Sequence, residues 1–170
     1  QFYQPGSEPR KIALAQFKAS DGMIVSTPYL KEVYSEFNQN ISVIPNCIDF
    51  NIWDKLRRTS RPGIRIGWAG GYNHEADLRI LETVIPEIAK RHKNVQFVFI
   101  HGLPSSMRTL PNVIPVQKWA RIDRYPQFLA SMDFDIGIAP LVDNAFNRSK
   151  SNLRFLEHSA LGIPTVASKV

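Results

Sequence analysis

Residues 146–168 read FNRSKSNLRFLEHSALGIPTVAS. Asn147, Arg148 and Ser149 are turn and cap residues, and Ser149 or Ser151 can N-cap a helix by accepting a hydrogen bond from an orphan backbone N–H. Leu153, Leu156, Ala160 and Leu161 follow at spacings of three, four and one, which makes one apolar stripe. Gly162 suits the left-handed residue after a helix, and Pro164 blocks continuation. Thr165-Val166-Ala167 then reads as a short buried strand. Loop, helix, stop and strand together form the closing half of an α/β unit. The polar face of the helix carries Lys150, Arg154 and Glu157. A helix N-terminus with free N–H groups and flanking cations suits a phosphate. Glu157 is expected about two turns further in, on the order of 10 Å along the axis, which is the span from a diphosphate to a ribose. A solvated face on a surface helix explains the same residues, so the helix alone leaves both readings open.

Upstream, residues 64–69 (IRIGWA) read as a strand that feeds Gly70-Gly71. Tyr72-Asn73-His74-Glu75-Ala76-Asp77 follows, so a glycine turn opens onto a helix start, an anion-binding arrangement. The pattern is not GxGxxG, and a nicotinamide cofactor is not indicated. His74 has two readings, a bond to a donor phosphate or sugar hydroxyl, or a cap on the next helix. Leu78, Leu81, Ile85 and Ile88 continue a helical stripe that Pro86 must kink or restart. Residues 95–100 (VQFVFI) are the strongest strand, and 112–116 (NVIPV) an edge strand, because Pro115 cannot donate to a ladder. Residues 122–132 read as helix and 135–140 as strand. The beat over 64–168 is βαββαβαβ, which argues for a doubly wound parallel sheet with ligands at the carboxyl ends of the strands. Loops 70–74, 101–104, 117–119 and 140–152 fall there.

Nearer the start, 23–25 (MIV) is a strand, Ser26-Thr27-Pro28 caps and opens a helix that Asn38 and Asn40 end, and 41–44 (ISVI) is a second strand. Pro45-Asn46-Cys47-Ile48-Asp49 follows, and 50–62 reads as a linker. Ile12, Leu14 and Phe17 can line a short helix before all of this. The chain has no initial Met and stops two residues after a strand, so it reads as a piece of a longer protein.

Of the 170 residues, 44% are apolar and 21% charged, the composition of a globular chain that builds a core. No apolar run is long enough to span a membrane. Cys47 is the single cysteine, which excludes an internal disulfide framework and a thiolate metal cluster and makes a reducing cytoplasm the default expectation. His74 has no second His at ligand spacing, so no metal site is expected. The net charge is +6, concentrated in residues 61–170, where 14 Lys and Arg stand against 9 Asp and Glu. That balance suits phosphates or acidic headgroups. The cations are dispersed and not interleaved with aromatics, so nucleic acid is not expected as a partner.

Two stretches carry a family resemblance. Leu156-Glu157-His158-Ser159-Ala160-Leu161-Gly162-Ile163-Pro164-Thr165-Val166-Ala167-Ser168 resembles the second half of the donor-binding signature of GT-B glycosyltransferases, especially the large retaining family. Val43-Ile44-Pro45-Asn46-Cys47-Ile48-Asp49 resembles the segment that leads into that family's interdomain hinge, with Cys47 where glycine is usual. The resemblance covers residues 22–170. It implies an α/β, Rossmann-like, doubly wound parallel sheet forming the C-terminal, donor-binding half of a GT-B fold over residues 59–170. A strand–helix–strand remnant of the N-terminal, acceptor-side domain would occupy residues 1–58.

By the same resemblance, Glu157 is the second glutamate of the family's pair, and Ser149 stands where the first, sugar-contacting glutamate belongs. Gly70 and Gly71 map to the glycine-rich loop facing the donor, with Asn73, His74 and Asp77 in place of its Arg and Lys. Gln117-Lys118-Trp119 occupies the loop that holds the base, so Lys118 and Trp119 are expected to bind donor. Ser149, Ser151, Asn152, Leu153 and Arg154 complete the expected donor contacts, with His74 and Lys150 as the catalytic candidates. The implied reaction moves a sugar from a nucleoside diphosphate sugar to a glycan, lipid-linked or protein acceptor. It is retaining and needs neither cofactor nor metal where helix N–H groups, Lys150 and Arg154 stabilise the departing diphosphate. The full-length protein is expected in the cytoplasm, with peripheral membrane association open to it. The piece in hand is expected to be inactive in transfer and able to dimerise through unpaired strands. The alternative is a nucleotide-sugar-binding or regulatory module without turnover, which Ser149 in place of glutamate favours. A generic flavodoxin-like partner domain is the third reading.

Overall fold

The computed structural model describes residues 5–56, 59, 61–71 and 74–170. The chain forms two compact units. One comprises Gln1–Asn46 with Ala145–Ser151, and the other Cys47–Asn144 with Asn152–Val170.

The first unit holds α1 (Glu8–Ala19), β1 (Met23–Val25), α2 (Pro28–Tyr34), β2 (Ile41–Val43) and a short helix contributed by Ala145–Arg148. β1 and β2 pair in parallel, Met23 opposite Ile41. Thr27 caps α2 by accepting from the Leu30 N–H at 3.2 Å, as its Ser-Thr-Pro opening predicts. α2 ends at Tyr34, a turn before the expected asparagines. Asn38 instead ties the turn back to α1, donating from Nδ2 to the Phe17 and Ser20 carbonyls. Neither α1 nor α2 has a fully buried residue.

The second unit opens with α3 (Phe50–Trp53), a turn of helix within the expected linker, capped by Asp49 and with Trp53 buried. β3 (Ile64–Ala69), α4 (Glu75–Leu78), α5 (Val84–Arg91), β4 (Val95–Ile100), β5 (Val113–Val116), α6 (Tyr125–Ala130), β6 (Ile136–Ala139), α7 (Ala145–Arg148, the short helix of the other unit), α8 (Leu153–Ala160) and β7 (Thr165–Ala167) follow in order. The sheet is five-stranded, ordered β5-β4-β3-β6-β7, and each neighbouring pair is parallel.

Crossover layers cover both faces, so the central strands are largely apolar on both faces rather than alternating. On β4, Val95, Phe97 and Phe99 pack with Trp68, Leu78, Ile85 and Met107 on one side. Val98 and Ile100 pack with Trp53, Leu129, Phe134, Leu161 and Ile163 on the other. Two strand glycines exist for packing. A Cβ on Gly67 would lie 2.2 Å from the Phe134 ring, and one on Gly137 2.2 Å from His158 Nδ1.

The helix after Gly70-Gly71 is one turn long, passes through a 3-10 turn at Arg79–Leu81 and restarts at Val84, so the restart expected at Pro86 is present, with the proline in the first turn of the new helix. Two expectations need correction. β7 is an edge strand rather than a buried one, with Val166 66% exposed. The helix expected over 122–132 is a 3-10 turn at Ile122–Arg124 followed by α6 alone. Gly162 is left-handed, φ 65°, and ends α8 as expected.

Candidate functional site

The strand order places the topological switch between β3 and β6. β3 to β5 run outward in one direction, and the chain then returns to lay β6 and β7 on the other side of β3. The loops after β3 and β6 therefore diverge and leave a crevice at the carboxyl edge.

Four elements of the larger unit converge there. After β3, a Cβ on Gly70 would lie 2.5 Å from Trp68 Cζ2 and 2.8 Å from Arg154 Nη2, so glycine here leaves room for the Trp68 ring and for the end of the Arg154 side chain. That guanidinium lies over the Trp68 ring, 5.4 Å from its centroid. Burial lowers the Arg154 pKa, while Tyr125, Glu157 and Asp77 act in the opposite sense. One turn further along α8, Glu157 Oε2 accepts from the Tyr125 hydroxyl at 3.3 Å. Burial raises the Glu157 pKa against the opposing effects of that hydroxyl and of Arg154. The Tyr125 hydroxyl is itself pushed up, first by burial and then by the Glu157 charge.

The fourth element is the turn that leads into α4. His74 Nδ1 lies 2.9 Å from Asp77 Oδ2, and its ring meets Trp68 edge-on at 5.7 Å. Asp77 is 4% exposed, and its Oδ1 accepts from the Val142 N–H, in the loop after β6, at 2.9 Å. His74 occupies the N-cap position of α4, but its side chain makes no capping bond, so the capping reading does not hold. Leu141, also after β6, donates from its N–H to Ser168 Oγ at 3.0 Å.

At the carboxyl ends of β4 and β5, His101 is buried in a left-handed conformation, φ 68°. Trp119 stacks on it, centroids 3.6 Å apart and planes 18° from parallel, while remaining 61% exposed. Burial lowers the His101 pKa. Lys118 is exposed beside it in sequence.

The expected diphosphate residues divide between the two units. Asn152 and Leu153, in the larger unit, are the N-cap and first residue of α8, and the Asn152 side chain makes no capping bond. Ser149, Lys150 and Ser151 lie in the smaller unit. Neither serine caps α8. Ser149 Oγ donates back to the Ala145 carbonyl at 2.8 Å, and Ser151 Oγ accepts from Asn46 Nδ2 at 2.7 Å. Lys150 Nζ sits 4.6 Å from the centre of the Phe146 ring. Because α8 begins at Leu153, Glu157 is its fifth residue, about one turn or 6 Å from the start. The expected two turns are thus reduced to one. Gly71 is partly buried beside Gly70, and Asn73 lies outside the described residues.

Sequence reading missed Trp68, Tyr125 and His158. Trp68 and Tyr125 look like core apolar positions. His158 is fully buried on Gly137, with Nδ1 3.1 Å from Thr165 Oγ1 and its ring edge-on to Phe134. Burial, then the Arg154 charge, lowers its pKa to about 4. The signal available in sequence was the His74-x-x-Asp77 spacing, which puts two polar side chains on one helical face. Among the described residues there is no group of three or more His, Cys, Asp or Glu that could hold a metal ion, and no helix long and apolar enough to cross a membrane.

No family model and no curated protein matches the chain. Solved structures do. A variant of S. aureus TarM in complex with Fondaparinux, alpha-GlcNAc-glycerol and UDP superposes with a TM-score of 0.64 at 18% identity, over 95% of this chain and 32% of that one. Anabaena HepE in complex with UDP and glucose gives 0.64 at 14% identity, over 96% and 50%. The pneumococcal O-GlcNAc transferase GtfA in complex with UDP and GlcNAc gives 0.58 at 20% identity, over 92% and 32%. These neighbours are GT-B glycosyltransferases. The fold is that of their Rossmann-like half. The chain spans about a third to a half of the length of the structures it matches.

Proposed function

We propose that this chain is the nucleotide-sugar-binding part of a glycosyltransferase, which moves a sugar from a nucleoside diphosphate sugar to an acceptor hydroxyl. The observation that carries the reading is the pair Arg154 and Glu157 on α8, at the switch point, beside a glycine that leaves room for the guanidinium. A desolvated guanidinium beside N–H groups at a helix start binds a diphosphate bidentately. A carboxylate one turn further on accepts bonds from the vicinal hydroxyls of a ribose.

In this reading Arg154 and the start of α8 at Asn152-Leu153 take the diphosphate. Glu157 takes the ribose, and the 117–119 loop takes the base. His74 faces the sugar. Catalysis then comes from orientation and from cations that stabilise the departing diphosphate, without a metal and with retention of configuration. UDP is the first ligand to try, because three of the structural neighbours are complexes with UDP.

A thermal-shift panel of UDP-, GDP- and ADP-sugars tests the class of ligand. A rise in melting temperature with one base over the others supports the reading, and no rise with any of them removes it. Ser149, where the family's first glutamate stands, favours a second reading of a binding module without turnover. Observed sugar transfer would exclude that module, whereas donor binding without transfer would support it.

A further inference from the structure

The polar side chain most enclosed at the carboxyl edge is one the donor reading does not use. Asp77 is 4% exposed and joins two loops that chain order keeps apart. Its Oδ1 takes the Val142 N–H from the loop after β6, and its Oδ2 takes His74 Nδ1 from the turn after β3. His74 in turn stands edge-on to Trp68, whose ring face lies beneath the Arg154 guanidinium. Trp68 is fully buried, and its ring fills the space that a Cβ on Gly70 or on Gly102 would need, so the ring is seated against the backbone of both loops.

We propose that Asp77 is a positioning residue of the donor site, fixing the imidazole of His74 and, through Trp68, the guanidinium of Arg154 at the β3–β6 switch point. The identity of the ligand rests on the proposed function; the positioning itself does not. A buried carboxylate needs hydrogen-bond donors and compensating charge. Val142 and His74 supply donors. Asp77 is also one of three groups that favour the charged state of Arg154 against burial, after Tyr125 and Glu157. The residue therefore serves both the geometry of the two loops and the charge presented to a phosphate. Removing the charge while keeping the volume should let the guanidinium reorient and should weaken recognition of phosphate in particular.

The test uses the whole chain in three forms, wild type, Asp77→Asn and Asp133→Asn. Asp133 is the control, a buried carboxylate at the opposite edge that also accepts a backbone N–H. UDP and uridine are titrated calorimetrically, and the His74 ring and Arg154 Nε–H signals are followed by NMR without ligand. Asp77→Asn should weaken UDP by about tenfold or more, roughly 1.4 kcal/mol, leave uridine unchanged and shift both sets of signals. Asp133→Asn should keep wild-type UDP affinity and leave those signals in place. A folded Asp77→Asn chain with wild-type UDP affinity overturns the proposal. If wild type binds no UDP, the donor reading fails, and the ligand-free spectra decide the positioning alone: shifted signals support it, unmoved signals overturn it. Should Asp77→Asn not fold, Val142→Pro removes the N–H that anchors Asp77, at the cost of fixing φ at that position, and carries the same expectations.

Discussion

The two ends of one sheet carry two polar clusters with different chemistry. At the amino edge, Asp133 accepts the Thr59 N–H at 2.6 Å and the Thr59 hydroxyl. Arg61 Nη2 donates to the Asp133 carbonyl at 3.0 Å and to Asp135 Oδ2 at 2.9 Å. The same Asp135 oxygen accepts the Arg65 N–H at 2.7 Å, and Arg65 Nη1 donates to the Met132 carbonyl at 2.9 Å. Four of these six bonds use a main-chain N–H or carbonyl of β3 or of the turns leading into β3 and β6. At the carboxyl edge Arg154 and Glu157 meet side chains and a ring face instead, and burial displaces the ionisation of Arg154, Glu157 and Tyr125. Charges tied to backbone hold a fold together. Charges held by other side chains, with the charged form penalised, are positioned for a ligand that completes them.

Between the two edges lies His158, and its titration gives the largest expected effect. The ring is held neutral in the folded chain, with a pKa of about 4 against an ordinary 6.5. The unfolded chain therefore binds more protons over that window, so the stability from this group is complete above pH 6.5 and is lost as pH falls toward 4. The shift corresponds to about 3 kcal/mol. Urea melts at pH 7 and pH 4 measure it, and His158→Met should flatten the difference. A wild-type chain equally stable at both pH values would place His158 outside the core.

Asp133→Ala should cost about 2 kcal/mol of stability, since it strands the Thr59 N–H and removes a carboxylate that accepts two bonds. Nucleotide affinity should stay at the wild-type value. A large loss of UDP affinity would erase the distinction between the edges.

The reverse pattern is expected of Glu157→Gln. It should weaken nucleoside diphosphate binding by about 2 kcal/mol, the scale of a hydrogen bond to a charged group, with little change in melting temperature. Calorimetry that found wild-type affinity would remove Glu157 from the site.

Gly70→Ala is the finest probe. Its Cβ meets the packed Trp68 ring and the movable end of Arg154. The arginine should give way, at a cost of about 1 kcal/mol in stability, and UDP affinity should fall while uridine affinity does not. Equal losses for both ligands would mean that the loop as a whole had collapsed.

Much of the larger unit's fold was legible because its signals are local. Residues 64–69 and 95–100 are mostly apolar runs, interrupted by Arg65 and Gln96, and form β3 and β4 over the same residues. Pro115 marked an edge strand, and Gly162-Ile163-Pro164 marked a helix stop. What was not legible depends on partners distant in sequence. Thr165-Val166-Ala167 has the composition of a buried strand, and only the sheet order shows that nothing pairs beyond it among the described residues. Ser149 and Ser151 look like caps, but Ala145 and Asn46 take their hydroxyls first. Within the candidate site, Gly70, His74, Arg154 and Glu157 were readable as motif positions. Trp68 and Tyr125 were not, because an aromatic acquires a role only from the side chain that folding sets against it.

The most direct test of the account is a calorimetric titration of the wild-type chain with UDP and, separately, with uridine. The account predicts saturable, one-to-one binding of UDP and binding of uridine weaker by about tenfold or more, because a charge-assisted diphosphate contact is worth more than about 1.4 kcal/mol. Equal affinity for the two ligands, or no heat from either, would contradict a diphosphate site at Arg154.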